Sequence, residues 1–260
     1  MGTGGESLPK IIRNRYHQHM SANPTPKTLV MIPALNEADS IAYVIGKIRE
    51  SAPWVDIAVI NDGSTDATAA IARDCGAIVL MQPYNVGIGT AVQTAFMYAE
   101  RHGYDVTVQN DGDGQHNPAE IPLLLAALSE GDADLVIGSR YIEDRGYVTP
   151  WQRKIGITIL AKVISLLLRQ KFTDPTSGFR ASNRRVIEFC AHNYPFDYPE
   201  PEAIVLLTRA GFKVREIPVT MNARYGGISS ITPFRSAYYM VKVILAIFID
   251  MIRKKPKTIP

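Results

Sequence analysis

From Thr28 onward the chain alternates short apolar runs with polar loops. Thr28 to Ile32 is a run that ends at Pro33, as a buried strand does, and Ser40 to Arg49 then carries apolar residues at helical spacing. The cycle repeats. Asp56 to Ile60 reads as a strand, Asn61 to Asp66 as a turn and Ala67 to Cys75 as a helix; Ala77 to Met81 opens a third cycle, and Val106 to Gln109 is a fourth strand running into Asp111. Such alternation predicts an α/β fold with a mostly parallel, doubly wound sheet and helices on both faces, because parallel neighbours need crossover connections. Ligands of such sheets lie at the carboxyl ends of the strands. The polar motifs of this sequence fall there.

After Arg140 the alternation weakens. Ile155 to Leu168 reads as an amphipathic helix broken by Lys162, Lys213 to Val219 as a strand, and Ser236 to Ile252 as an apolar helix carrying Lys242 and Asp250. Residues 1–26 are polar and closed by Pro24 and Pro26, so an N-terminal extension is expected there. A single domain is expected over 27–254, with a nucleotide-binding half at 27–140 and an acceptor half at 141–254, followed by a basic tail at 255–260. The late helices, Ile155 to Leu168 and Tyr238 to Ile252, read two ways: too short to span a bilayer but apolar enough to lie at its interface, or simply packed on their own domain.

With 46% apolar and 20% charged residues over 260 positions, a disordered or collagen-like chain is excluded and a soluble globular enzyme is expected. Lys and Arg total 28 against 25 for Asp and Glu, and a net charge of +3 is too small to point to nucleic acid. Arg253, Lys254, Lys255 and Lys257 directly follow an apolar run. That cluster suits either a solvated tail or an anionic membrane face, where each cation contributes roughly 1 kcal/mol. Two cysteines, Cys75 and Cys190, both in helical patterns, suggest neither a disulfide framework nor a zinc site, which fits a reducing, cytoplasmic setting. The first twenty residues lack a signal-peptide core, and no stretch reaches the ~18 uninterrupted apolar residues of a spanning helix.

The candidate chemistry centres on Asn110, Asp111, Gly112, Asp113, Gly114, Gln115 and His116, at the end of a strand. Two carboxylates two positions apart, with glycine between and after them, can turn towards one hard cation, Mg²⁺ or Mn²⁺, and leave room for substrate phosphate. Gln115 can add a neutral oxygen; His116 reads equally as a structural residue or a participant. Asp-Gly pairs also form ordinary turns. Asp62, just past the second strand, is placed to accept from a base N–H or a ribose hydroxyl, whereas Ser64, Thr65 and Asp66 read as caps of the next helix. Glu37 and the Gly87/Gly89 pair fall on the same edge. Asp197, Glu200 and Glu202 are carboxylates in a proline-stiffened segment; Glu202 is the candidate base, with the start of a helix as the alternative reading for it and Glu200.

These motifs, in this order, resemble glycosyltransferase family 2 with the GT-A fold, and within it the dolichol- or polyprenyl-phosphate sugar synthases. The likeness runs from about Thr28 to Lys254 and includes Pro33 to Glu37, Asn61 to Ser64, Asp111/Asp113/Gln115, His116 to Pro118, Gly138 to Tyr141 and Asp174 to Phe179. It implies a nucleoside site at Pro33, Leu35, Glu37, Ile60, Asp62, Gly87 and Gly112, and a metal and diphosphate site at Asp111, Asp113 and Gln115. It further implies that Arg140 faces phosphate, with Ser177 and Arg180 towards the acceptor, and that a basic pair closes over the donor. The first of that pair is Arg224; the second position is Ser230, which removes one cation. The implied activity is inverting, metal-dependent hexosyl transfer from a UDP- or GDP-sugar to polyprenyl phosphate by a peripheral protein at the cytoplasmic membrane face, with Asp113, Arg140 and Glu202 carrying catalysis. A glycan hydroxyl as acceptor, or a non-catalytic nucleotide-sugar binder, are the other readings. Oligomeric state is not legible.

Overall fold

The computed structural model describes residues 26–143, 145, 149–222 and 233–252. Seven strands form one sheet: β1 (Thr28–Ala34), β2 (Asp56–Asn61), β3 (Ile78–Met81), β4 (Val106–Gln109), β5 (Leu135–Ser139), β6 (Arg180–Asn183) and β7 (Val214–Pro218). The helices are α1 (Ile41–Ser51), α2 (Thr68–Asp74), α3 (Ile88–Arg101), α4 (Ile121–Ser129), α5 (Trp151–Leu168), α6 (Arg184–His192), α7 (Pro199–Arg209) and α8 (Pro233–Ile252), with a 3₁₀ turn at Pro118–Glu120. Both cysteines are free; Cys190 is buried in α6, while Cys75 closes α2 rather than lying within it.

Strand β1 reads as continuously apolar because both of its faces are covered. Leu29 and Met31 point into a core shared with α3, α5, α6, α7 and α8, while Val30 and Ile32 point into a second core with α1, α2 and α4. Successive strand residues alternate between faces, so a single run serves both cores. The strand order is β3-β2-β1-β4-β6-β5-β7, parallel except for β6, which runs antiparallel to both β4 and β5.

That order contains the feature that places the site. From β1 the chain winds outward through β2 to β3, then returns so that β4 lies on the other side of β1. The β1–β4 pairing ends at Met31 and Gln109, whereas β1 stays paired to β2 through Ala34. Beyond Gln109 the two strands part, and a crevice opens at the point where the winding reverses. Doubly wound sheets bind their ligands at this reversal. Pro33 lies past the last β4 pairing, so its missing N–H leaves no gap in that ladder.

Candidate active site

The crevice holds a cavity of about 330 Å³ lined by segments from three strand ends: Pro33 to Leu35 with Glu37, then Asp62, then Asp111 to Asp113, closed by Asn85, Ile88 and Ala91. Its volume is that of a small-molecule site. Four carboxylates converge on it.

The loops that carry them are clipped together by side chain to backbone bonds. Asn36 adopts a left-handed backbone, φ 55°, from which its N–H donates to Ser64 Oγ at 3.0 Å and its Oδ1 accepts from Thr65 N–H at 2.9 Å. Asp66 accepts from Ala38 N–H and from Thr68 N–H, so it both starts α2 and ties the first loop to the second. Glu37 Oε2 accepts from Ser40 Oγ at 2.9 Å, and Ser40 also donates to the Gly112 carbonyl at 2.7 Å, joining the first loop to the acidic one.

Asp62 is buried at the cavity wall, where Oδ1 accepts from Val86 N–H at 2.8 Å and Oδ2 from Gly87 N–H at 3.1 Å. It thereby shapes the 85–87 loop. Each carboxylate oxygen keeps a second acceptor position, so the ribose or base contact expected of it is compatible with this duty. Gly63 makes the same junction tight: at φ +73°, a Cβ there would lie 2.5 Å from Asn85 N.

Asp113 is nearly buried and its Oδ1 accepts from Gln115 N–H at 2.9 Å. Asp111 is oriented by His116, whose Nδ1 accepts from Asp111 N–H at 3.0 Å while Nε2 faces Asp111 Oδ2 at 3.5 Å. Only one tautomer satisfies this arrangement: a neutral ring carrying its proton on Nε2. Burial pushes the His116 pKa down to about 4, in keeping with a neutral imidazole, and the ring stacks on Phe179. His116 is thus a positioning residue. Gly178 approaches from the other side, where a Cβ would lie 3.0 Å from Asp111 Oδ1.

Other residues singled out in the sequence lie outside this lining. Ile60 does not line the cavity; it is fully buried in the core with Leu29 and Met31, and only the residues after it reach the site. Gly87 contributes its N–H to Asp62 rather than a wall of the cavity. Gln115 contributes backbone, its N–H to Asp113 and its carbonyl to Asn222 N–H, and is absent from the described lining. Arg140 is paired with buried Asp174, with Nε–Oδ2 and Nη2–Oδ1 both at 2.6 Å and Nη2 also donating to Thr176, and is not among the lining residues. Arg180 and Ser177, expected to face the acceptor, are buried. Arg180 donates to the carbonyls of Ser177, Pro175 and Glu200, and Ser177 Oγ donates to the Gly138 carbonyl. These bonds build the 174–179 loop.

Glu202 lies in the first turn of α7 with Glu200 and is outside the described cavity lining. Glu200 is electrostatically linked to the site: burial raises its pKa, Arg180 opposes this and Asp111 adds to it. Arg224 and Ser230 lie outside the described residues. Asn85 and Ile88 flank the Gly87 position that the sequence placed at this edge, and Ala91 joins them one turn further along α3.

The donor set fits a hard divalent cation. No group of three or more His, Cys, Asp or Glu side chains assembles among the described residues. Asp111 and Asp113, two of the four carboxylates there, could hold Mg²⁺ or Mn²⁺, which take one or two protein carboxylates and fill the remaining positions with water and substrate phosphate.

An α/β sheet of this order, with its acidic crevice at the reversal point, is the GT-A architecture of nucleotide-sugar transferases. Its likeness to glucosyl-3-phosphoglycerate synthase from Mycobacterium tuberculosis, solved with Mn²⁺, UDP and glucosyl-3-phosphoglycerate, has a TM-score of 0.70 at 19% identity and covers 96% of this chain and 86% of that one. Residues 29–190 match the profile of Glycosyl transferase family 2, and the chain belongs to that family. It is 35% identical over 240 residues to the polyprenol monophosphomannose synthase of Mycolicibacterium smegmatis, covering 86% of this chain and 88% of the relative. It is also 32% identical to the undecaprenyl-phosphate mannosyltransferase of Micrococcus luteus, covering 79% of this chain and 88% of that protein.

Proposed function

We propose that the chain transfers a hexose, with mannose the first candidate, from a nucleoside-diphosphate sugar to a polyprenyl phosphate, with inversion at the anomeric carbon. The convergence of Glu37, Asp62, Asp111 and Asp113 on one cavity at the sheet reversal carries this reading. The names of the two relatives supply the acceptor class and the sugar.

In this scheme Asp62 and Glu37 hold the nucleoside, with Leu35 and Ile88 as apolar walls, and Asp111 and Asp113 would hold the cation. A bound divalent cation supplies neutralisation of the charge that grows on the departing diphosphate. An acceptor phosphate oxygen attacks C1 from the face opposite the leaving group; the new C1–O bond forms as the bond to the diphosphate breaks, and its electron pair leaves with the nucleoside diphosphate. That oxygen is already ionised near neutral pH, so no general base is required. Arg140 then serves by fixing the 174–179 loop, whose Gly178 touches Asp111. The acceptor lies in a bilayer, so the protein works at a membrane surface, the cytoplasmic face in this reading. No helix among the described residues is long and apolar enough to cross.

Incubation with GDP-mannose, GDP-glucose, UDP-glucose or UDP-mannose, polyprenyl phosphate and Mn²⁺ tests the reading. Chelator-sensitive glycolipid formation is expected from at least one donor, falling on the order of 10²–10³-fold in Asp113→Ala, the scale of removing one preorganised charge-stabilising group. Nucleoside diphosphate release without glycolipid in every combination would refute it.

A further inference from the structure

Asn85 lines the crevice, yet nothing in the transfer gives it a duty. It follows β3 and opens the loop that leads into α3. Gly63 lets that loop close in, since at φ +73° the backbone of Tyr84 and Asn85 occupies the place of its absent side chain. Asn85 is therefore brought to the crevice by a junction that the fold holds fixed.

One hydrogen bond orients its amide. Asn85 Oδ1 accepts from Gly87 N–H at 3.0 Å, and a backbone N–H can be met only by the oxygen, so Nδ2 is the atom left over. Nδ2 carries two hydrogens and has no partner among the described residues. The same Gly87 N–H also reaches Asp62 Oδ2, at 3.1 Å. Two acceptors that share one N–H lie side by side, so an amide donor and a carboxylate acceptor stand next to each other in the wall of the crevice. Leu35 and Ile88, 39% and 42% exposed, add apolar surface against which a flat ring can lie.

A base that meets this pair must turn an acceptor to Asn85 and a donor to Asp62 at neighbouring positions of one edge. Guanine does so with O6 and N1–H, and uracil with O4 and N3–H. Adenine and cytosine carry the reverse order, an amino group beside a bare ring nitrogen, which would oppose donor to donor and lone pair to carboxylate. A turn that only shapes the loop gives no reason for an amide here: it uses Oδ1 alone, and aspartate makes the same turn.

We propose that Asn85 is a specificity-determining residue of the donor site, whose Nδ2, acting beside the Asp62 carboxylate, reads the base and admits guanosine and uridine diphosphates over adenosine and cytidine diphosphates. The inference deepens the nucleoside-diphosphate reading of the crevice and rests on it.

The test is calorimetric titration of GDP, UDP, ADP and CDP, each with Mn²⁺, into wild type and Asn85→Asp. Wild type is expected to bind the better of GDP and UDP roughly tenfold or more tighter than ADP and CDP, the scale of one base-edge contact. Asn85→Asp keeps the turn, and so the melting temperature, but replaces the donor with an acceptor. Its added charge weakens every diphosphate alike, so the readout is the ratio between bases, which should fall by about tenfold. A second measurement needs no variant. 4-Thiouridine and 6-thioguanosine diphosphates, whose sulfur accepts weakly, should bind wild type severalfold less tightly than their oxygen parents. A ratio that survives in folded Asn85→Asp, thio forms that match their parents, or a wild type that binds all four nucleotides alike overturns the inference and leaves the nucleotide site standing. A wild type that binds none of the four removes the nucleotide-sugar reading, and this inference with it.

Discussion

Gly63 and Gly46 show how the same substitution takes opposite signs in one molecule. Gly63 sits at φ +73° with the backbone of Tyr84 and Asn85 where its Cβ would be, whereas Gly46, inside α1, has nothing within 4 Å of that position. Gly63→Ala is expected to cost about 1–3 kcal/mol of stability through backbone strain. It also pushes the 85–87 loop off Asp62, so nucleoside diphosphate affinity falls with it. Gly46→Ala is expected to add about 0.8–1.0 kcal/mol by helix propensity and leave affinity alone. Chemical denaturation with a parallel nucleotide titration measures both, and equal effects at the two sites would remove the loop junction from the account. The acidic residues were legible at this scale because each follows an apolar strand directly. The partners of Arg140 and Arg180 were not, since Asp174 and the Glu200 carbonyl lie 34 and 20 residues away in the chain and only tertiary structure brings them within reach.

At the scale of elements, β1 to β4 could be read from their apolar runs, while β6 could not. Arg180–Asn183 has no apolar run; it is a strand because β4 and β5 pair with it from both sides. The loop before β6 is held by two anchors, one buried and one half-buried, and each supports a prediction. Asp174 is fully buried against Arg140, so Asp174→Asn leaves a guanidinium without its counter-charge at a cost of about 3–5 kcal/mol. A melting temperature lower by roughly 10 °C is expected by calorimetry, and an unchanged one would mean that the pair does not anchor the loop. Glu216 of β7 accepts from Thr173 N–H, Thr173 Oγ1 and Asp174 N–H, yet burial, the largest influence, raises its pKa above 4.5. The folded state therefore takes up this proton at higher pH than the unfolded chain does. Its contribution to stability is complete below 4.5 and is lost as pH rises through the folded value. The stability of wild type relative to Glu216→Gln should accordingly increase as pH is lowered towards 4.5, and a difference that is flat or of opposite slope in pH-dependent denaturation would contradict the raised pKa.

For the whole molecule, the reversal of winding between β1 and β4 sets what the crevice can bind, and a ligand that binds only the folded chain reports on it. Of the four carboxylates lining the cavity, Asp111 and Asp113 share one loop, and no cluster of three or more His, Cys, Asp or Glu that could hold a metal assembles among the described residues. A cation held there alone keeps much of its coordination shell as water, and a diphosphate alone faces four carboxylates. Each should bind weakly, and together they should bind strongly, because the phosphate oxygens fill the cation's open positions and the cation screens the acids. At 100 times the dissociation constant the pair adds about 2.7 kcal/mol to stability, which for a domain of this size is a rise of roughly 5–10 °C in melting temperature. Mn²⁺ alone, or GDP or UDP in EDTA, should shift it far less, and Asp113→Asn should abolish the synergy while leaving the unliganded melting temperature nearly unchanged. A nucleotide that stabilises equally in EDTA would place its diphosphate away from the acidic loop.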